Sequence, residues 1–427
     1  MNIVERGRAF GKRLRELAVR SVWDWKQCPH CGSWVTIKNG SYTRHPWGFE
    51  GRETVRVQRH LCRDCQRTYA EESPLLVARS WYTRGVRRAA VDHWQHLGTS
   101  LRRTAEALRS WIGHQERYQL WHPLDTSTRA RCYLSASTVH RWLDGAGERA
   151  VNSVPEQLAG IGATQELGTD GLWARLKGGV VRVVLLTVDS VSGLLYPPVV
   201  ARHEESASAW EQLFARAQVA GLDLQRLRGI CSDGAQGLLA YLRSELAWVQ
   251  QQRCVWHVWR CLTGELSRAV SRAAKELTTD VAAEVRDTVR GELVKLLRGV
   301  IDAVDGDAAE TALAQLLAHP YGKALGQQLT QLLDRLLVYQ LDYCHGLQRV
   351  SPEWYWRDFR LRLSRGRNHR SEQRLERAAL LWAVYHNFEP AQWRSERTRH
   401  YRHPGQSALE VAGVPPGQVS YLDALGV

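Results

Sequence analysis

Glu166-Leu-Gly-Thr-Asp170-Gly-Leu-Trp173 is a strand-like run with a lone carboxylate, Asp170, at its centre. It opens the stretch, residues 166–257, whose order of elements decides the fold. Val181 to Val188 is almost unbroken in β-branched residues and leucine, the pattern of a strand buried on both faces. Asp189-Ser-Val-Ser-Gly193 reads as a turn, and Leu194 to His203 as a third strand. Residues 206–220 have helical periodicity. Leu227-Arg-Gly-Ile-Cys-Ser-Asp233-Gly234 is a fourth strand ending in a second carboxylate, with Gly234 opening a helix. Hairpin, strand, helix, strand and helix in this order predict a mixed sheet with a right-handed crossover. Asp170 and Asp233 then stand on adjacent strands.

Two carboxylates close together in a sheet repel unless a cation lies between them. A pair of Mg²⁺ or Mn²⁺ ions held by acidic side chains is the standard device for in-line displacement at phosphorus. Each aspartate alone is as readily a turn residue or a helix cap. The pair together favours metal.

Working outward to the N-terminal side, Cys28-Pro-His-Cys31 and Cys62-Arg-Asp-Cys65 are two C-x2-C pairs 30 residues apart. Four thiolates complete a closed tetrahedral Zn²⁺ shell with no position left for water, so the metal is structural. His30 and His60 are near enough to substitute. Arg52, Arg56, Arg59, Arg63 and Arg67 interleave with Trp34, Tyr42, Trp47 and Tyr69, a combination suited to a DNA backbone, although part of the aromatic set must form the module's small core. Next, Ser100 caps an amphipathic helix. After about 25 further residues Ser135-Ala-Ser-Thr-Val-His-Arg-Trp-Leu143 starts another, capped by Ser135 or Ser137. Val139, Trp142 and Leu143 would face inward, leaving Ser137, Thr138, His140 and Arg141 for a major groove, as in a helix-turn-helix. An ordinary helical linker has the same pattern.

The net charge is +14, and residues 1–150 hold 26 basic against 14 acidic side chains. That concentration suggests a polyanion partner such as double-stranded DNA or another nucleic acid, although a solvated basic surface has the same composition. Gly and Pro together number 47 of 427 residues, too few for a collagen or low-complexity scaffold. The aliphatic runs are too short for a transmembrane helix. No apolar segment of a secretory signal follows the basic N-terminus. Nine cysteines are too sparse for a disulfide scaffold and suit a reducing cytoplasm.

On the C-terminal side, residues 262–348 are almost wholly helical, broken near Gly306 and at His319-Pro320. Residues 371–388 form another helix, and the tail from Pro404 reads as irregular. Trp256 and Trp259 suit either a core or stacking on a displaced base.

With these residues in place, the chain resembles bacterial insertion-sequence transposases of the DDE type. Asp170 and Asp233 match the first two acids of that family. Arg253-Cys254-Val-Trp-His257 looks like the C-x2-H signature of its Mutator-like branch. Asn368-His-Arg-Ser-Glu372 is similar to the Asn-x3-Glu segment opening the last catalytic helix, which makes Glu372 the third acid and Glu376, one turn on, its rival. The resemblance implies an α/β RNase H-like catalytic core, a mixed sheet with flanking helices interrupted by an all-α insertion and preceded by a small zinc ribbon and a helical helix-turn-helix domain. The implied boundaries are 1–75 for the basic helix and ribbon, 76–155 for the helix-turn-helix region, 156–261 and 351–400 for the core, 262–350 for the insertion and 401–427 for the tail. It further implies Mg²⁺ or Mn²⁺ on Asp170, Asp233 and Glu372, auxiliary roles for Cys254 and His257, and phosphate contacts from Arg365, Arg367 and Arg370. Cleavage and strand transfer at terminal inverted repeats would follow, in a homodimer or larger assembly associated with the bacterial nucleoid in the cytoplasm. A DNA-binding regulator with an inert core, or another RNase H-like nuclease, would share much of this pattern. A third zinc site of Cys254 and His257 with Cys231 or Cys261 is less favoured than a packing or substrate-positioning role for His257.

Overall fold

The computed structural model describes residues 27–112, 134–158, 161, 165–204, 206–276, 282–341, 347, 353, 355–366, 369–390, 405–415 and 420–427. The expected basic helix over residues 1–20, and Arg367, lie outside them, as does the side chain of Arg365.

A small antiparallel sheet comes first: β1 (Thr36–Arg44), β2 (Val55–Cys62) and β3 (Thr68–Ala70). Three helices follow, α1 (Arg84–Leu97), α2 (Leu101–Trp111) and α3 (Ala136–Leu158). Ser100 and Ser135 act as the expected caps, their hydroxyls accepting from Arg103 N at 3.3 Å and Thr138 N at 3.1 Å. Trp47 anchors the small sheet to the helices. It is fully buried, and its backbone bonds Trp81 and Thr83 at 2.8 and 2.9 Å.

The central sheet holds β4 (Glu166–Arg175), β5 (Val181–Asp189), β6 (Val199–Ala201), β7 (Gly229–Ser232) and β8 (Gln250–Arg253) in the order β6-β5-β4-β7-β8. β4–β5 and β5–β6 pair antiparallel, whereas β4–β7 and β7–β8 pair in parallel. The mixed sheet and the adjacency of the strands carrying Asp170 and Asp233 therefore agree with the sequence reading. The third strand is shorter than expected, because Pro197 and Pro198 leave only Val199–Ala201 in the ladder.

The unbroken apolar run of β5 now has its reason. Val183 and Leu185 face α4 (Ala207–Val219) and α5 (Gln236–Glu245), while Val184, Leu186 and Val188 face α11 (Trp356–Gly366) and α12 (Glu372–Phe388). Between α5 and α11 come α6 (Val255–Glu276), α7 (Ala282–Ile301), α8 (Gly306–Ala318), α9 (Lys323–Thr330) and α10 (Leu333–Leu336), with an apolar core of their own. The expected boundary at residue 262 is not a break, since α6 runs through it from the sheet into the helical region.

Two attachments hold α12 in place. Gly147 of α3 lies so close to it that a Cβ there would meet the Arg377 carbonyl oxygen at 2.5 Å. Arg377 meanwhile bridges to Asp144 and Glu148 at 2.9 and 2.6 Å. At its far end, buried Asn387 accepts from Leu195 N at 2.8 Å and donates to Leu195 O at 2.9 Å. Asn387→Ala is expected to cost about 1–3 kcal/mol, because two buried backbone groups lose their partner. Chemical denaturation would measure it, and an unchanged midpoint would refute the assignment.

The tail differs from expectation. It forms α13 (Ala408–Val411) and α14 (Tyr421–Ala424), started by a capping box of Ser407 and Glu410. Arg88 binds Asp423 at 2.6 Å, and Arg149 donates to the Leu425 carbonyl at 2.7 Å. Its apolar residues, Leu409, Tyr421, Leu422 and Leu425, join the main core, and such scattered residues leave too weak a period to be read from sequence.

Candidate acidic metal site and zinc module

Asp170 projects from β4 toward the α11 side of the sheet and is only 2% exposed. Its Oδ2 accepts from Trp356 Nε1 at 3.1 Å. Asp233 follows the last residue of β7. There Gly234 takes φ +80°, and a Cβ on it would meet the Arg253 guanidinium at 1.5 Å, so the turn requires glycine. The helix then begins at Gln236, two residues later than expected. Asp233 Oδ1 accepts from Ala235 N at 2.9 Å. His257 enters from the first turn of α6. Ligand atoms of Asp170, Asp233 and His257 all lie within 4.8 Å of one another.

A fourth group reaches this cluster that the sequence reading did not select. Glu353 is buried close enough to the Asp170 carboxyl to act on it electrostatically, while Arg360 holds its Oε1 at 2.6 Å. Burial, then the charges of Asp233 and Glu353, push the Asp170 carboxyl well above the ordinary range.

The donor set fits a divalent cation. Two carboxylates offer hard oxygen ligands suited to Mg²⁺ or Mn²⁺, and the buried Nδ1 of His257 has no partner among the described residues.

Glu372 is not brought to this cluster. It is bound by Arg182 at 2.5 Å, and its side chain is 48% exposed. In the β4–β5 register Arg182 lies opposite Ala174, whereas Asp170 lies opposite Leu186. Four residues along a strand put its partner about 13 Å from Asp170. Its rival Glu376 is paired with Arg216. The separation has a packing reason: α12 starts at the hairpin end of the sheet, and Glu353, ahead of α11, stands beside Asp170 instead. Trp356, Phe359 and Trp382 stack in the core under that segment, with ring centroids 4.9 to 6.0 Å apart. The available signal was an acid directly after the helical region, followed by the core-type residues Tyr355, Trp356 and Phe359.

Cys254 is fully buried against Cys231 and packs with Val338 and Leu347, apart from the ligand atoms. Among the described residues no metal group includes Cys231, Cys254 or Cys261.

The raised Asp170 pKa carries a testable sign. Between about pH 4, the unfolded value, and its raised folded value, the native state keeps a proton that the unfolded state has lost. Without Mg²⁺, Asp170 therefore lowers stability as pH rises through that window. The Tm difference between Asp170→Asn and wild type should widen with pH and shrink when Mg²⁺ is added; a pH-independent difference would refute it.

The other cluster is the four cysteines. Cys28 and Cys65 sulfurs are 3.6 Å apart, as are those of Cys31 and Cys62, and all four lie within 4.8 Å of each other. Tetrahedral Zn–S bonds of about 2.3 Å suit such spacings. Gly32, at φ +74°, lets its N–H turn back to the Cys28 carbonyl at 2.8 Å. On the second knuckle, backbone N–H groups of Cys65 and Asp64 point at the Cys62 sulfur and lower its thiol to about 7, favouring the thiolate. This group fits a zinc ribbon.

Arg52, Arg56, Arg59, Arg63, Arg67 and Arg370 are all exposed. Among the module's aromatics, Trp34 and Tyr42 are exposed while Trp47 is core. At the start of α3, Ser137 and Arg141 are exposed, and Thr138 is half-buried with its hydroxyl accepting from Arg141 at 3.2 Å. His140 departs from the outward set. It lines a cavity between α3 and α12 with Asp144, His369, Arg374 and Arg377.

Residues 198–285 match the family model described as Transposase, Mutator family. The match supports a transposase. It spans β6 to the start of α7 and so contains Asp233, Cys254 and His257. No curated protein matches the chain. Among the described residues no helix is long and apolar enough to cross a membrane.

Proposed function

We propose that this chain is a DDE-type transposase that cuts DNA at the ends of a mobile element and joins the freed 3′-hydroxyl to a target. The observation that carries the reading is the convergence of Asp170 on β4, Asp233 just past the adjacent β7 and His257 at the start of α6, with Glu353 beside Asp170. The strand order, three antiparallel strands followed by two parallel ones, suits an RNase H-like core. In this reading Asp170, Asp233 and Glu353 are the acidic triad, with Glu353 in the place expected for Glu372.

Bound Mg²⁺ or Mn²⁺ would lower the pKa of the attacking water or 3′-hydroxyl and stabilise the leaving oxygen. The protein's part is to hold the carboxylates in register. Trp356 orients Asp170, the turn N–H of Ala235 orients Asp233, and Arg360 orients Glu353. His257 supplies a nitrogen donor beside them. The exposed arginines of the zinc module and Arg370 contact phosphates, and Ser137 and Arg141 meet base edges. Joining two ends to one target calls for a dimer or larger assembly.

The test is incubation of the purified full chain with duplexes tiled across the DNA flanking its coding sequence, with and without Mg²⁺ or Mn²⁺. Nicked and joined products should depend on metal and vanish with Asp170→Asn, which should still bind DNA. Specific binding without cleavage by any form would overturn the reading in favour of a regulator.

A further inference from the structure

Trp256, one of several exposed tryptophans, is set apart by its place beside the acidic site, next to His257 in the chain. It is 39% exposed, and its helix position explains why. Along α6 the buried residues are Val258, Leu262, Leu266, Ala269 and Ala273. At about 100° per residue, Trp256 lies some 160° around the helix from Val258. It is therefore turned away from the helical core. Its ring meets the ring of His257 edge-on, with centroids 4.7 Å apart. One turn on, the exposed Arg260 places its guanidinium 5.3 Å from the indole centroid, and among the described residues it makes no ion pair. A part-exposed indole with a guanidinium over its ring thus adjoins a candidate metal ligand.

The acids beside them are recessed, with Asp170 and Glu353 both buried. A displaced nucleotide can carry its phosphate into such a recess more readily than one held in a stacked duplex. A displaced nucleotide exposes the π-face of its base, and an aromatic ring accepts any base on that face. A guanidinium beside the ring adds a cation–π contact and a partner for the flanking phosphate.

Resting on the function proposed above, we infer that Trp256 and Arg260 form a nucleobase-binding site that stacks one unpaired base of the strand being cut. The base lies next to His257, and the site selects for strand opening rather than for sequence.

The experiment uses the full zinc-loaded chain, Mg²⁺ and a flanking-DNA duplex, fully paired or carrying a single mismatch next to the cut. Trp256→Ala should cut the paired duplex about ten- to a hundredfold more slowly, the loss expected for one base–aromatic stack. Trp256→Phe should stay near wild type, because a π-face remains. The mismatched duplex should restore Trp256→Ala to near the wild-type rate, since the base is already free. A residue that merely supports the fold would slow both duplexes equally, and that result would overturn the inference. So would a Trp256→Ala rate equal to wild type on paired DNA. 2-Aminopurine at the mismatch position should be quenched by wild type and bright with Trp256→Ala. If wild type cuts no flanking duplex, the proposed function fails first and this site fails with it. If wild type cuts and Trp256→Ala is unaffected, only this inference falls.

Discussion

Glu353→Gln is expected to lower metal-dependent cleavage by more than about a hundredfold, beyond the 10–100-fold typical of residues that only support a metal ligand. Glu372→Gln should cleave within a few-fold of wild type. The two substitutions are chemically identical and differ only in where the fold puts them. Glu353 is buried on the Asp170 carboxyl, whereas Glu372 is half exposed on Arg182 at the far end of the hairpin. Glutamine keeps the volume of Glu353 and a bond to Arg360 through its amide oxygen, so folding should survive while the negative charge is lost. Side-by-side Mg²⁺ titrations of cleavage would measure both. Loss with Glu372→Gln and retention with Glu353→Gln would return the third acid to α12 and require that helix to move on binding DNA.

Removing the structural metal should have the second largest effect. Structural zinc contributes about 10–16 kcal/mol of apparent binding free energy at neutral pH, which in a small module is its folding free energy. The small sheet has little else to hold it. β1 is exposed along nearly its whole length, and the buried apolar residue of β2 outside the cysteine cluster is Val57. Cys62→Ser removes one of four ligands and the thiolate favoured by its backbone N–H groups. The variant is expected to lose its zinc, expose residues 27–70 to protease and bind DNA weakly. The central sheet, whose core reaches the small module through Trp47, should keep its thermal transition. One zinc per chain and an unchanged protease pattern would refute the four-cysteine assignment.

The legible parts of the molecule share a feature: each is written in short-range spacing. Two C-x2-C pairs specify tight turns whatever surrounds them, and the spacing of Cys28, Cys31, Cys62 and Cys65 became a single cluster. Val181 to Val188 could be read as doubly buried because alternate residues of a strand face opposite layers. Asp170 and Asp233 could be paired because a crossover connection of that length returns beside the first strand. Ser135 and Ser100 cap their helices through bonds spanning three residues. By contrast, His140 was read as outward from its helix period alone, and the packing of α12 against α3 half-buries it. The tail's apolar residues find partners far away in the chain, so no local period announces its two short helices.

By itself, then, the sequence determined the four-cysteine cluster, the mixed sheet, the two aspartates and the helical region that separates them from the last core helices. Local hydrogen bonding and the two- and 3.6-residue periods suffice for those. Only the tertiary structure decided which glutamate meets Asp170. That choice depends on the stacking of Trp356 and Phe359 on Trp382 and on Arg362 of α11 bonding Gln95 of α1 at 3.0 Å. These contacts join residues up to 267 positions apart. Their energy is realised only when the layers close, so no local reading of Glu353 or Glu372 contains it.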